Sequence, residues 1–224
     1  MDISFELIFV SLIDGLLLGF VYGIAAMGMT LIWGVMDVIN LSHGPIIALG
    51  MFGVYLAFNS FGWNPYLIIV IVALAGLLLG MLIYGIAVHR VINAPHLSTL
   101  LATFSINLII IGIGTAAFST APRNVDFTLG NFSIGPITLL WTRVIAALLA
   151  ILATGSLYFF LYKTRPGRYV RAVANNRKAA ELVGVPSTKI LALSFGLGTM
   201  LAAFAGGLIS TFFPFTILSG GAYE

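Results

Sequence analysis

Apolar residues run through this chain in six long blocks, over 8–32, 36–58, 66–88, 97–118, 143–162 and 190–213. A helix needs about 20 apolar residues to cross the hydrocarbon core of a bilayer, and each block reaches that length. A membrane β-barrel strand would alternate polar and apolar positions, whereas these blocks are continuous. Backbone groups find no water in lipid, so a spanning segment must close its own hydrogen bonds, and each block is predicted to be a helix. The stretch 119–142 is richer in Pro, Gly and Asn and predicts a loop outside the bilayer. Its alternating Phe and Ile predict a short hairpin within that loop.

Composition sharpens the class. Hydrophobic residues make up 60% of the chain, charged residues 8%, and the mean hydropathy is +1.12. Soluble domains carry roughly 25% charged residues, so this composition belongs to an all-α, polytopic membrane bundle whose excess apolar surface faces lipid. The net charge of +3 does not point to nucleic acid, because seven of the ten basic residues lie between Lys163 and Lys189 beside the single acid Glu181. A basic loop between spans stays in the cytosol. With 163–189 inside, the turn at Arg90–His96 is also inside, while 119–142 and the N-terminus, with Asp2 and Glu6, are outside. Trp63, Tyr66 and Trp141 then fall at span ends, where interfacial aromatics sit. The N-terminus has acids and no Lys or Arg, so no cleavable signal peptide is expected.

Small residues recur every four positions at Gly15, Gly19 and Gly23, at Gly76 and Gly80, and at Gly198, Ala202 and Gly206. Such spacing smooths one helix face and lets a neighbouring backbone approach. Packing within the bundle and a face between subunits both remain open.

Catalytic chemistry is not indicated. There are no cysteines, which excludes disulfides and thiolate chemistry. His43, His89 and His96 lack metal-ligand spacing. There is no Gly-Lys pair, hence no phosphate loop of the Gly-Lys-Ser/Thr kind, and no Gly-x-Ser-x-Gly elbow. The chain is expected to bind no cofactor and no metal.

Two groups of polar residues inside the spans are candidates for a translocation path. Asn40, Ser42 and His43, with Asp37 before them and Gly44 and Pro45 after, mark a bent or broken helix near the start of the second span. Freed carbonyls and polar side chains there can line an aqueous path. The competing reading is a capped helix start at the cytosolic interface. Ser105 and Asn107 on the fourth span are the second group, as cavity lining or as interhelical hydrogen bonds. Asp14 is a lone acid in the first span; it should be paired, protonated or close to the outer interface, and as a proton site it would favour a proton-driven secondary transporter.

The basic loop predicts a helix over 168–183, with Val170, Val173, Ala180 and Val183 along one side. Gly184 is a C-terminal cap, Pro186 a stop, and Ser187 an N-cap for the next helix. Anionic lipid headgroups alone would account for its charge.

Three segments resemble the permease subunits of ABC importers for branched-chain amino acids. Ile39–Gly44 (INLSHG) is similar to that family's Ile-Asn-aromatic-Ala-His-Gly element, with Leu41 and Ser42 departing from it. The first span resembles the family's Gly- and Ala-rich opening helix. The loop 164–185 resembles its cytosolic loop, and Ala179, Ala180 and Gly184 fit an importer coupling pattern in which Lys178 stands for Glu.

The resemblance implies an inner-membrane importer permease without its own ATP site. It implies a second permease subunit, two cytosolic ATPases that use ATP-Mg, and a periplasmic binding protein. It places ATPase coupling on Gly167, Arg168, Arg171, Ala172, Val173, Asn175, Asn176, Arg177, Lys178, Ala179, Ala180 and Gly184. Val173, Ala179 and Ala180 would be the apolar insert, and Arg171, Arg177 and Lys178 the charge contacts. Family members continue through further spans, so 1–224 is expected to be a single permease domain shortened at its C-terminus. Urea, short amides or sugars are alternative cargoes, and a scaffold without transport is a further class.

Overall fold

A computed structural model describes residues 5–134 and 137–223, and no side chain of residues 5–7, 134, 137 and 222–223 is described. Asp2, the Glu6 side chain and Glu224 therefore lie outside the described residues. Helix α1 (Phe5–Met36) is followed by α2 (His43–Phe61) and α3 (Pro65–Ile83). A π-helical turn at Tyr84–Val88 joins α3 to α4 (His89–Val91) in one rod. Then come α5 (His96–Phe118), strands β1 (Asn131–Ile134) and β2 (Ile137–Leu140), and α6 (Trp141–Lys163). Helices α7 (Arg165–Asn175), α8 (Arg177–Leu182) and α9 (Ser187–Ser210) complete the order, with a 3-10 turn at Ser219–Tyr223.

Six helical rods are long and apolar enough to span, as the blocks predict: Ile8–Met36, His43–Phe61, Pro65–Val91, His96–Phe118, Trp141–Lys163 and Ser187–Ser210. β1 and β2 pair antiparallel, with Phe132 opposite Leu139, which bears out the hairpin. Local chemistry sets the ends. Asp37 adopts a left-handed φ of 52° and closes α1, its N–H donating to Trp33 O at 2.8 Å. Gly62, with φ 64°, closes α2. Asn64 Oδ1 accepts from Tyr66 N at 3.0 Å and Pro65 opens α3.

The centre of the bundle is α9, buried on nearly every face from Ser194 to Ser210. Helices α1, α2 and α3 surround it. The backbones come so close that a Cβ at Gly206 would overlap Ile47 O, and one at Gly50 would overlap Ala203 O. A Cβ at Gly80 would overlap the Thr199 hydroxyl, which donates to Gly76 O at 3.0 Å. The small residues on α3 and α9 are thus helix contacts within the chain. Gly15, Gly19 and Gly23 have nothing within 4 Å of a built Cβ.

At the end of the bundle that carries the hairpin, the strand-like pair Arg123 and Phe215 exchanges backbone hydrogen bonds of 2.8 and 2.9 Å. Phe52 stacks on Phe118 at 4.5 Å and meets Phe215 edge-on at 5.2 Å. On the same side Arg143 Nη1 donates to Asp14 Oδ2 at 2.6 Å, and the Arg143 guanidinium covers the Phe213 ring at 5.4 Å. Asp14 is therefore paired, the first of the three outcomes open to a lone acid in a span.

Two local expectations are corrected. The helix expected over 168–183 is two helices, because Asn176 takes an extended conformation (φ −158°, ψ 101°) and its Oδ1 caps α8 by accepting from Ala179 N at 3.0 Å. Ser187 does not cap α9. Pro186 holds that position, and Ser187 Oγ is buried without a partner among the described residues.

Candidate functional site

The first candidate region is the break between α1 and α2. Residues 37–42 leave the helix, and the chain then turns back into the bundle. His43, the first residue of α2, places Nε2 2.8 Å from Ala25 O. Ala25 is eleven residues before the end of α1, about 16 Å along the helix axis. His43 therefore lies beside the body of α1, about three turns before its end. Ser42, at the N-cap of α2, makes no side-chain cap hydrogen bond. Non-helical backbone within a membrane bundle is tolerated only inside protein or beside a water-lined cavity.

The residues of the break are fully enclosed. Asn40, Ser42 and His43 are at most 1% exposed, and Gly44 is buried beside them. Asn40 Oδ1 accepts from Ser42 N at 3.2 Å and from Ser42 Oγ at 2.6 Å, which holds the segment in a tight polar turn. A Cβ at Gly44's neighbour Gly220 would overlap Gly44 O, so the 3-10 turn after α9 closes over the start of α2.

Helix α5 faces the break. Thr103 Oγ1 donates to Ile39 O at 3.0 Å. Asn107 is one turn further along the same face, and Thr99 one turn before. Asn107 Oδ1 is buried without a partner among the described residues, as are Asn40 Nδ2 and His43 Nδ1. Ser105 does not join this group. It is exposed, and its hydroxyl returns to Leu101 O at 2.8 Å. Sequence reasoning paired Asn107 with the wrong neighbour and missed Thr99 and Thr103. The four-residue spacing of 99, 103 and 107 was the available signal.

The second candidate region is the basic loop. Thr164 Oγ1 caps α7 by accepting from Gly167 N at 3.1 Å, and a Cβ at Gly167 would strike the Phe160 carbonyl at the end of α6. Val170, Val173 and Ala180 are buried against the bundle. Val173 and Ala180 therefore do not form the apolar insert expected of them. Leu182 and Val183 are the most exposed large apolar side chains of the loop, at 88% and 80%, with Ala179 beside them. Gly184, with φ 84°, ends α8 as expected, its N–H donating to Glu181 O at 3.0 Å.

The cations of the loop divide by partner. Arg171 is held on its own chain, with Nε donating to Leu161 O at 3.2 Å and its guanidinium 4.6 Å over the Tyr162 ring. Arg177 pairs with Glu181 at 3.2 Å and donates to Asn93 Oδ1 at 3.2 Å, which ties α8 to the turn before α5. Arg168, Lys178, Asn175 and Asn176 are exposed, whereas Ala172 is half-buried. Among the described residues no group of three or more His, Cys, Asp or Glu could hold a metal ion.

Comparison with known proteins decides the class. The family described as branched-chain amino acid transport system, permease component, matches residues 11–220. The chain belongs to that family. It is 29% identical over 217 residues to the high-affinity branched-chain amino acid transport system permease protein LivH of Escherichia coli, covering 89% of this chain and 70% of LivH. It is 24% identical over 212 residues to the corresponding protein BraD of Pseudomonas aeruginosa, covering 88% of this chain and 69% of BraD. It is also 29% identical over 192 residues to the fructose import permease protein FruF of Bifidobacterium longum, covering 83% of this chain and 51% of FruF. No solved structure matches. As a branched-chain amino acid permease component, the chain is a multi-pass inner-membrane protein of the ABC-importer kind, a transport component rather than an enzyme.

Proposed function

We propose that this chain is one permease subunit of an ATP-driven importer for branched-chain amino acids, with its N-terminus outside and residues 163–189 in the cytosol as the coupling loop. Residues 1–224 act as a single transmembrane domain. A second permease subunit pairs with it, two ATPase subunits dock on the loops, and a periplasmic binding protein delivers cargo. ATP-Mg is used by the ATPases, and this chain binds no cofactor. Movement of the loop is passed to the bundle through α7, whose Gly167 touches α6, and through the Arg177–Asn93 contact to α5.

The observation that carries this reading is the α8 tip. Leu182 and Val183 are exposed on a basic loop that the six-span topology puts outside the bilayer, where bare apolar side chains mark a docking surface. The coupling contact is thus Ala179, Leu182 and Val183 with Lys178 and Arg168, while Arg171, Val173 and Ala180 hold the loop in shape. In the reconstituted complex, Leu182→Asp with Val183→Asp should leave membrane insertion unchanged and reduce stimulated ATP hydrolysis and uptake at least tenfold. Uptake at the normal rate would refute the docking assignment.

Sugar import is the second reading, favoured by the match to FruF. Uptake of labelled leucine against labelled fructose separates the two. Against the proton-driven alternative stands the pairing of Asp14 with Arg143 at 2.6 Å.

A further inference from the structure

We propose that the groove between α1, α6 and α7 binds an anionic phospholipid, with an acyl chain laid along α1 and α6 and the phosphate on the Arg171 guanidinium. The site is independent of which cargo the protein carries. The groove has a volume of about 350 Å³, within the range of small-molecule sites. Met27, Leu31 and Val35 of α1 and Leu157 and Leu161 of α6 form its walls.

The spacing of residues builds the apolar wall. Positions 27, 31 and 35 recur every four residues, so they share one face of α1 over about 12 Å near its end. Gly34 keeps the space beside that face open, since a Cβ built there meets nothing within 4 Å. The hydroxyl of Thr30, on the same wall, already donates to Ala26 O at 2.8 Å. Along its length the wall therefore suits a hydrocarbon chain and offers little to a polar ligand.

The end of the groove is different. Helix α7 follows directly on α6 and contributes Arg171, the one charged residue among the described residues lining the groove. Arg171 Nε donates to Leu161 O at 3.2 Å and the guanidinium lies 4.6 Å over the Tyr162 ring, so the group is already in position. Nε is one of five guanidinium donors, and the Nη hydrogens have no partner among the described residues. Two Nη groups side by side fit two oxygens of a phosphate. Lys163 and Arg165, exposed where α6 meets α7, add positive charge at the same end. An apolar groove that runs along a span and ends at a fixed cation is the complement of an anionic amphiphile, and basic pockets at the ends of membrane helices select such headgroups. Free phosphate would leave the walls unused. A zwitterionic lipid carries the same phosphate but brings its own cation toward Arg171.

Photolabelling of the full chain in phosphatidylcholine nanodiscs tests this, with a trace of phosphatidylglycerol or of phosphatidylcholine that carries a diazirine on one acyl chain. The phosphatidylglycerol probe should label residues 27–35 and 157–161 at least threefold more than the phosphatidylcholine probe. The groove between α3, α6 and α9, about 460 Å³, has no charged residue among its described lining, so labelling of Met200 and Phe204 there should not distinguish the probes. Arg171→Gln should abolish the preference, and Arg171→Lys should retain it. Gly34→Leu grows into open space and fills the groove from α1. It should lower groove labelling by both probes at least threefold and leave Met200 and Phe204 unchanged. Equal labelling by the two probes in wild type, a preference that survives Arg171→Gln, or full groove labelling in Gly34→Leu overturns the proposal. So does a groove that neither probe labels while Met200 and Phe204 are labelled, since a protein chain then covers it.

Discussion

Asp14 and Arg143 show how a single residue pair is kept in an apolar span. Alone in α1, the Asp14 carboxylate would be expensive at this depth. Arg143, at the start of α6, reaches it at 2.6 Å and rests its guanidinium on Phe213. The two side chains retain 33% and 18% of their exposure, so the pair is not fully enclosed by the bundle. Arg143→Leu should therefore destabilise the protein by about 1–2 kcal/mol, less than the loss from a fully buried pair. The double variant Asp14→Asn with Arg143→Gln should recover most of that loss, because no charge is stranded. Thermal unfolding in detergent, run as a double-mutant cycle, gives the answer. A double variant no better than Arg143→Leu alone would show that the arginine acts through packing on Phe213 instead.

Between elements, the decisive contacts are backbone against backbone. Helix α9 crosses α2 where Gly206 meets Ile47 O and Gly50 meets Ala203 O, and no side chain fits between them. Gly206→Val should destabilise the bundle by about 3 kcal/mol or prevent its accumulation, since neither backbone can yield cheaply. Gly19→Val, where a Cβ meets nothing, should be near neutral for the isolated chain. The melting temperature of each purified variant separates the two sites. These contrasts also mark what the sequence made legible. The six spans, the hairpin, the Gly184 cap and the glycine contacts of α3 and α9 follow from local pattern. The enclosure of His43 does not, because it depends on the chain folding back after Asp37, and a Ser-His-Gly-Pro run reads equally as a surface cap. Nor does the buried side of the loop. Val173 and Val183 share one stripe on an unbroken helix, but the break at Asn176 rotates the second away from the bundle. The face that Asn107 shares with Thr99 and Thr103 is legible from their four-residue spacing.

For the whole molecule, charge and topology combine into one orientation. Six spans alternate, so the turns at 92–95 and 164–186 and the break at 37–42 share one membrane side, and the residues at 62–64, 119–140 and beyond 210 share the other. Arg90, Lys163, Arg165, Arg168, Arg171, Arg177, Lys178 and Lys189 lie toward the first side; only Arg123 and Arg143 lie toward the second. Moving eight cations across the bilayer during insertion costs far more than moving two, and short basic loops are retained in the cytosol for that reason. The chain has no cysteine, so a single introduced thiol reports its own position. Lys178→Cys, exposed on α8, should react with a membrane-impermeant maleimide only in inverted vesicles. Asn131→Cys, exposed on β1, should react in intact spheroplasts. The opposite pattern would put α8 on the side away from the ATPases, and the coupling role of Leu182 and Val183 would fall with it.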